Sequence, residues 1–226
     1  MIKNATLQSR RITAVIFDMD GVIFDTESLW KKAFLAANKK FGVDISEEYR
    51  AGMCGKNEKL VREELRVHRP SLDVDAYRDF MLESVNHDIS LGDFEIKPFF
   101  KETIEFLKGK GIKTALATSS HKARAEMLFK LKEMEIAGVF DATIYAEDAL
   151  GKSKPDPYMF LEAAKKLGED PSSSIVVEDS INGIEAAVRG CFVPVMAVDL
   201  IPPNAFAKEH AHIIGDLSGL IEMLKR

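Results

Sequence analysis

The sequence predicts an α/β fold, with a doubly wound parallel sheet as its core and an α-helical cap domain inserted into that core. Two observations support this class. Short apolar strands alternate with amphipathic helices over residues 96–226, which is the pattern of a parallel sheet covered by helices. Residues 24–95 are patterned as helices and turns only, and a connection of that length is too long for a loop. We therefore assign residues 1–23 and 96–226 to the core and residues 24–95 to the cap.

The composition is that of an ordinary globular protein. The chain has 226 residues, of which 46% are hydrophobic and 30% charged, so it can bury a substantial core. Its 31 basic and 36 acidic residues are mixed along the chain, which argues against nucleic acid and membrane surfaces as partners. The two cysteines, Cys54 and Cys191, have neither the spacing of a metal site nor the pattern of a disulfide framework, which favours a reduced, cytoplasmic setting. The first ten residues lack the apolar segment of a signal peptide. We also expect the protein to be a monomer.

The first predicted strand delivers two carboxylates. Residues 11–17 end in an apolar, β-branched run, and Asp18, Asp20 and Gly21 follow at once. The carboxyl ends of parallel strands face the crevice where open α/β sheets bind ligands. At about 4 Å and an effective dielectric near 20, two carboxylates repel each other by on the order of 4 kcal/mol. A hard cation such as Mg²⁺ bound between the two carboxylates would relieve that repulsion. Taken alone, the segment could also be an ordinary acidic turn after a strand, because Asp and Gly are common in turns.

The remaining elements follow from periodicity and from start and stop residues. Apolar residues at helical spacing predict the first cap helix, which ends at Gly42, and Ser46 begins the next one. Two more cap helices are predicted, one ending before Pro70 and one over residues 73–89. In the core, Ser180 caps a helix that follows a buried strand. The other core strands are predicted at 112–117, 142–145, 174–177, 194–198 and 212–214, and the other core helices at 99–108, 121–134, 158–167 and 217–224.

Polar residues follow three further strands or loops of the core. Thr118, Ser119 and Ser120 end the second strand at the start of a helix, where hydroxyls, backbone N–H groups and the helix dipole favour an anion. Lys154 is followed by Pro155 and Pro157, which stiffen its loop. Glu178 and Asp179 end a later strand and add oxygen ligands. Each group alone has a simpler explanation: the hydroxyl residues as a helix cap, the lysine as a solvated side chain, and the two acids as a helix start. Together, however, they indicate phosphoryl transfer.

At these positions the sequence resembles the haloacid dehalogenase superfamily, in the branch that contains β-phosphoglucomutase and small sugar-phosphate phosphatases. The resemblance rests on four segments that span most of the chain: FDMDGVIFDTE from Phe17, LATSS from Leu116, KSKPDP from Lys152 and VVEDSINGIEAA from Val176. It implies a Rossmann-like core with a helical cap inserted after the first strand, in agreement with the organisation predicted above.

The resemblance also implies roles for the core residues. Asp18 would be the nucleophile that forms an aspartyl-phosphate, and Asp20 the general acid and base. Thr118 or Ser119 would bind the phosphoryl group, with Ser119 favoured, and Ser120 is a further candidate phosphate ligand. Lys154 would neutralise the nucleophile and the phosphate.

The resemblance further implies a Mg²⁺ site. Its expected ligands are Asp18, the backbone carbonyl of Asp20, and Asp179 assisted by Glu178. Because the second aspartate of the first motif is present, phosphoryl chemistry is favoured over carbon–halogen cleavage.

The cap should select the substrate. Glu27 and Trp30 lie at its start, and Lys56, Asn57 and Lys59 lie on a turn at the place where family members carry a specificity loop. The mutase of this branch has a histidine where this chain has Trp30 and an arginine where it has Glu58, and both departures count against a mutase.

The sequence therefore predicts a Mg²⁺-dependent phosphatase that acts on a small phosphorylated metabolite, a sugar or polyol phosphate, through an aspartyl-phosphate. Two alternatives remain: a β-phosphoglucomutase-type sugar-phosphate mutase, and a non-catalytic binding protein on the same fold.

Overall fold

The computed structural model describes residues 11–225, so the prediction made from the first ten residues lies outside the described part of the chain. Within residues 11–225 the chain forms a six-stranded sheet in which every pairing of neighbouring strands is parallel. The order is β3-β2-β1-β4-β5-β6. The strands are β1 (Ala14–Phe17), β2 (Lys113–Ala117), β3 (Ala142–Ile144), β4 (Ser174–Glu178), β5 (Val193–Ala197) and β6 (His212–Ile214).

The strand order confirms the predicted doubly wound sheet. The chain runs outward from β1 through β2 to β3, and then crosses to β4 on the other side of β1. Phe17 at the end of β1 pairs with Leu116 of β2 and with Val177 of β4. The residues that follow these strands therefore meet at one edge, where the two halves of the sheet diverge and ligands bind in such folds.

The sheet is buried on both faces, which explains its nearly continuous apolar strands. Successive side chains of a strand point to opposite faces. Val15 and Phe17 belong to the larger core cluster, whereas Ala14 and Ile16 belong to a second cluster on the other face. The fold thus has a central sheet with a helical layer on each side.

Five helices lie between β1 and β2, and the first four of them fall within the predicted cap, where several helix ends have the expected capping residues. Gly42 adopts a left-handed conformation with φ of 64° after the first of these helices, and Ser46 and Asn57 each accept a backbone N–H at the start of the next two. The division of the chain into a core and a cap domain at residues 23/24 and 95/96 stays a prediction. The first four helices are α1 (Glu27–Phe41), α2 (Glu47–Met53), α3 (Glu58–His68) and α4 (Val74–Ser90).

The other helices cover the sheet. They are α5 (Phe100–Gly109), α6 (Lys122–Leu131), α7 (Ile136–Val139), α8 (Tyr158–Leu167), α9 (Ile181–Arg189), α10 (Ala205–His210) and α11 (Ser218–Lys225). Helix α6 ends earlier than its periodicity predicts, because Glu133 adopts a left-handed conformation with φ of 56°. Helices α7 and α10 were not predicted, because they are too short to show a helical period.

Among residues 11–225, no helix has both the length and the apolar character needed to cross a membrane. The cytoplasmic setting and the monomeric state stay predictions.

Candidate active site

The first strand places Asp18 against a buried lysine. The backbone N–H of Asp18 donates to the carbonyl of Val177 at 3.0 Å, so the chain stays in register with β4 beyond the end of β1. Lys154 is 1% exposed, and its Nζ lies 2.5 Å from Oδ1 of Asp18. The same Nζ also donates to Oε1 of Glu178. One buried ammonium group thus joins the ends of β1 and β4.

Glu178 is fixed on its other side as well. Its Oε2 accepts from the backbone N–H of Asp179 at 3.0 Å, and from the N–H and Oγ of Ser180 at 2.9 and 2.8 Å. Helix α9 approaches so closely that a Cβ on Gly183 would lie 1.9 Å from the carboxyl carbon of Glu178. Because both of its oxygens are engaged, Glu178 orients Lys154 and the turn after β4.

We expect Lys154→Met to destabilise the fold strongly. The substitution keeps an unbranched side chain but leaves Asp18 and Glu178 buried without their shared cation, a change that typically costs about 3–5 kcal/mol. Urea unfolding in chelator at neutral pH measures the loss, and Lys152→Met in the same loop is the control, since the Lys152 side chain is 49% exposed. Equal unfolding midpoints for the two variants would contradict the structural role of Lys154.

Asp20 has a different set of partners. Arg124 donates to its Oδ1 from NH2 at 2.8 Å and to its Oδ2 from NH1 at 2.9 Å. The hydroxyl of Ser120 donates to Oδ2 at 3.0 Å, and that of Thr26 donates to Oδ1. Burial alone would raise the pKa of Asp20, but Arg124 and the hydroxyl donors lower it below its usual value. Arg124 was not among the predicted site residues, although it lies in the first turn of α6, only four residues after Ser120.

The three hydroxyl residues after β2 all line the cleft but make different contacts. Thr118 accepts the backbone N–H of Ser120 at 3.0 Å. Ser119 donates to the carbonyl of Gly55, on the turn between α2 and α3, at 3.0 Å. Ser119 thus bridges to the cap, and its assignment as the favoured phosphate ligand stays a prediction.

The turn between α2 and α3 has further bonds to the core. The N–H of Asn57 donates to the hydroxyl of Ser153 at 2.7 Å, and the side-chain amide of Asn182 donates to the carbonyl of Cys54 at 2.8 Å. These bonds hold the predicted cap over the carboxyl ends of the strands.

The carboxylates at this edge fit a divalent cation. Asp18, Glu178 and Asp179 are all buried, and each offers an oxygen within 4.8 Å of the other two. Burial raises the pKa of Asp18 to about 7. The pKa of Asp179 is raised well above its usual value, mainly by burial and secondly by repulsion from Glu178. Three crowded carboxylates with one ammonium group leave negative charge that Mg²⁺ would neutralise. The Asp20 carboxylate is not in this group.

One further buried acceptor lies close to this group of carboxylates. Oδ2 of Asp199 has no hydrogen-bond partner among residues 11–225, although Lys97 binds the other oxygen at 2.9 Å. A Cβ on Gly21 would lie 2.3 Å from Asp179 and 3.2 Å from Asp199, so both carboxylates approach the backbone there. An unfilled acceptor beside the carboxylate group is consistent with a hydrated cation.

A cleft of about 310 Å³ extends from these residues to the cap helices. The cap side pairs its charges internally. Arg50 binds Glu27 at 3.2 Å, Arg78 binds Glu58 at 2.6 Å, and Arg78 also lies over the ring of Trp30 at 5.4 Å. The apolar part of the wall consists of Trp30, Met53, Val61, Met81 and Leu82. Neither arginine was among the predicted site residues, because each comes from a helix with no recognisable motif.

The structure separates the five cap residues predicted to meet substrate. Glu27, Trp30 and Lys56 line the cleft, and Lys56 is bound to Glu64 at 2.8 Å. Asn57 caps α3 by accepting the N–H of Leu60, and it is not among the lining residues. Lys59 also lies outside the lining, with 78% of its side chain exposed.

The family model of the haloacid dehalogenase-like hydrolases matches residues 12–190, which include the four motif segments and the side chains of Asp18, Asp20, Lys154, Glu178 and Asp179. The chain belongs to this family. The predicted family and enzyme class, a phosphoric monoester hydrolase, are confirmed, as is the α/β fold.

Two curated relatives of the chain are phosphatases by name. The chain is 33% identical to the phosphorylated carbohydrates phosphatase of Thermotoga maritima, over 77% of its own length and 79% of the relative. It is 34% identical to hexitol phosphatase B of Escherichia coli, over 82% of its own length and 85% of that relative. Among solved structures, CbbY from Rhodobacter sphaeroides in complex with phosphate has the same fold, with a TM-score of 0.77 and 22% identity, covering 95% and 100% of the two chains.

Proposed function

We propose that this haloacid dehalogenase-like hydrolase is a Mg²⁺-dependent phosphatase of sugar or polyol monophosphates, and that it works through an aspartyl-phosphate on Asp18. The observation that carries the proposal is the Asp18 carboxylate at the end of β1, held by a buried lysine beside the hydroxyl residues after β2. The substrate class draws on the names of the relatives, which act on phosphorylated carbohydrates and hexitol phosphates.

The residues divide the chemistry between them. An oxygen of Asp18 attacks phosphorus, the bond to the leaving oxygen breaks, and Asp20 gives that oxygen a proton. Asp20 then takes a proton from the water that attacks the aspartyl-phosphate, which releases inorganic phosphate and restores Asp18. Lys154 offsets the negative charge of Asp18 and of the phosphoryl group. The hydroxyls of residues 118–120 donate hydrogen bonds to the phosphoryl oxygens. Mg²⁺ bound by Asp18 and Asp179 would supply further charge neutralisation.

The cap wall favours a substrate with one phosphate and an uncharged, hydroxylated body. Glu58 can accept hydrogen bonds from hydroxyl groups, and the ring of Trp30 can cover a carbon chain. A second phosphate would meet Glu58, and the nearby Arg78 is already paired with that carboxylate. Lys56 is likewise paired with Glu64. A clamp for a second phosphate would need unpaired cations, preferably an arginine fork.

A phosphate-release screen tests the proposal. We expect Mg²⁺-dependent hydrolysis of monophosphates such as sorbitol 6-phosphate and glucose 6-phosphate, with kcat/KM for fructose 1,6-bisphosphate lower by about tenfold or more. In the same buffer, β-glucose 1-phosphate with a trace of its 1,6-bisphosphate tests the mutase alternative. Glucose 6-phosphate appearing faster than free phosphate from any substrate would favour the mutase. Binding of inorganic phosphate without hydrolysis of any ester would favour the non-catalytic alternative.

Glu58→Arg should relax the preference for monophosphates. The substitution removes the partner of Arg78 and adds a cation, so we expect the ratio of bisphosphate to monophosphate kcat/KM to rise by about tenfold. Glu63→Arg makes the same charge change on the same helix, on a side chain that is 53% exposed, and should leave the ratio unchanged. A ratio that shifts equally in both variants would indicate a general effect of charge and not a contact of residue 58.

A further inference from the structure

Arg124 occupies a position that the roles assigned above do not explain. It lies in the first turn of α6, four residues after Ser120, and lines the cleft together with the hydroxyl residues after β2. Its side chain is 15% exposed. NH1 donates both to Asp20 and, at 2.6 Å, to the hydroxyl of Ser120. An arginine beside the candidate phosphate-binding loop is thus bound to the candidate general acid and base.

The hydrogen bonds that Asp20 accepts leave neither of its oxygens free to contact substrate. Each of its two oxygens accepts two donors: Arg124 and Thr26 on Oδ1, and Arg124 and Ser120 on Oδ2. A carboxylate oxygen offers about two lone-pair sites, so this carboxylate is saturated. To exchange a proton with a leaving group or with water, Asp20 must lose at least one of these donors.

Arg124 is the donor best suited to leave. Thr26 is fully buried at the start of α1, so its hydroxyl has little freedom to move. Arg124 has a long, flexible side chain, and its Nε has no hydrogen-bond partner among residues 11–225. Its guanidinium group is therefore held through its terminal nitrogens alone, and both partners of those nitrogens, Asp20 and Ser120, line the cleft. A phosphoryl group is the acceptor that a guanidinium fork matches as well as it matches a carboxylate.

We propose that Arg124 is a phosphate-binding residue with two alternative partners. One is the Asp20 carboxylate, as in this structure, and the other is a phosphoryl oxygen of the substrate. Transfer of Arg124 to the phosphoryl group adds a second cation to that provided by Lys154 and frees an oxygen of Asp20 for proton transfer. This inference rests on the proposed function, since it assigns Arg124 to the phosphoryl group of the same site.

Binding of inorganic phosphate, measured by calorimetry in saturating Mg²⁺, tests the direct contact. We expect Arg124→Gln to weaken binding by about 10- to 100-fold, as for the loss of a charge-assisted hydrogen bond, and Arg124→Lys to recover part of the affinity. Lys122→Gln removes the same charge from the same helix, on a side chain that is 60% exposed, and should change the affinity by less than about twofold. Because Arg124→Gln leaves Asp20 unpaired, Arg124→Lys keeps the test valid if the first variant unfolds. Affinity within twofold of wild type in a folded Arg124 variant would overturn the proposal.

A double-mutant cycle separates direct binding from the positioning of Asp20. Asp20→Asn removes the charge that competes with phosphate for Arg124. If Arg124 binds phosphate, Arg124→Gln weakens phosphate binding at least as much in the Asp20→Asn protein as in wild type. If Arg124 only positions Asp20, its effect disappears in that background, and the proposal is overturned.

Kinetics provide the second readout. The leaving group of p-nitrophenyl phosphate departs without a general acid, whereas that of sorbitol 6-phosphate needs one. We expect Arg124→Gln to raise KM for both substrates by similar factors. A defect confined to kcat for sorbitol 6-phosphate would reduce Arg124 to a positioning residue and overturn the proposal. If the wild-type protein hydrolyses neither ester, the proposed function fails, and the phosphate-binding measurements still decide whether Arg124 is a phosphate ligand.

Discussion

Asp18→Asn is expected to lower phosphate release by at least about a thousandfold while the protein stays folded. The amide has nearly the shape of the carboxylate but lacks the anionic oxygen that attacks phosphorus. Its oxygen can still accept a hydrogen bond from Lys154, which lies 2.5 Å from Oδ1 in the wild-type protein. Hydrolysis of p-nitrophenyl phosphate in saturating Mg²⁺ measures the loss.

The stability of this variant provides a check on the activity result. Burial raises the pKa of Asp18 to about 7, so its charged form is unfavourable in the metal-free protein. Removing that charge should leave the thermal midpoint in chelator no lower than that of wild type. Asp44→Asn makes the same chemical change at an exposed position and should keep full activity. Turnover by Asp18→Asn above a few per cent of wild type, corrected for protein purity, would exclude Asp18 as the nucleophile.

Removal of Mg²⁺ should abolish activity and reduce stability together. Without a cation, Asp18, Glu178 and Asp179 repel one another and the phosphate, so we expect chelation to lower the rate by at least about a hundredfold. Mg²⁺ should restore the rate and raise the thermal midpoint, and Ca²⁺ should restore the rate poorly because it prefers more ligands in a looser arrangement. Asp179→Asn should lose most of the Mg²⁺-induced rise in midpoint, whereas Asp44→Asn should keep it. Full activity in chelator-treated protein would contradict this assignment.

The pH dependence of stability gives an independent test of the same charges. The pKa of Asp18 is raised to about 7 in the folded state, above its ordinary value of 3.8, so the folded state binds this proton more tightly than the unfolded state. Stability in chelator should therefore increase as the pH falls from about 8 to about 6. Saturating Mg²⁺ should weaken this trend, because the metal favours the ionised carboxylate. If the free energy of unfolding in chelator decreases as the pH falls over that interval, the raised pKa of Asp18 is contradicted.

The sequence by itself determined the fold class and the core of the candidate site. Buried β-branched strands alternate with amphipathic helices, and that pattern leaves few arrangements other than a parallel sheet. Parallel strands share one carboxyl edge, so residues placed after strands must converge, and Asp18, Thr118 and Asp179 accordingly line one cleft. Lys154 reaches the same edge from the loop before α8. Local signals also placed the helix ends correctly at Gly42 and Ser180, since capping depends on the chemistry of a few neighbouring residues.

Only the tertiary structure decided which partner each charged side chain has. Spacing along a helix assigns a residue to a face, but its partner depends on the packing of other helices and on the side-chain rotamer. Arg124 reaches Asp20 across 104 positions, and Arg78 neutralises Glu58 from a different helix. Ser119, which the sequence favoured as a phosphate ligand, donates to the carbonyl of Gly55 because the turn between α2 and α3 lies over the loop after β2. These long-range pairings set the charge of the cleft, and local sequence patterns do not encode them.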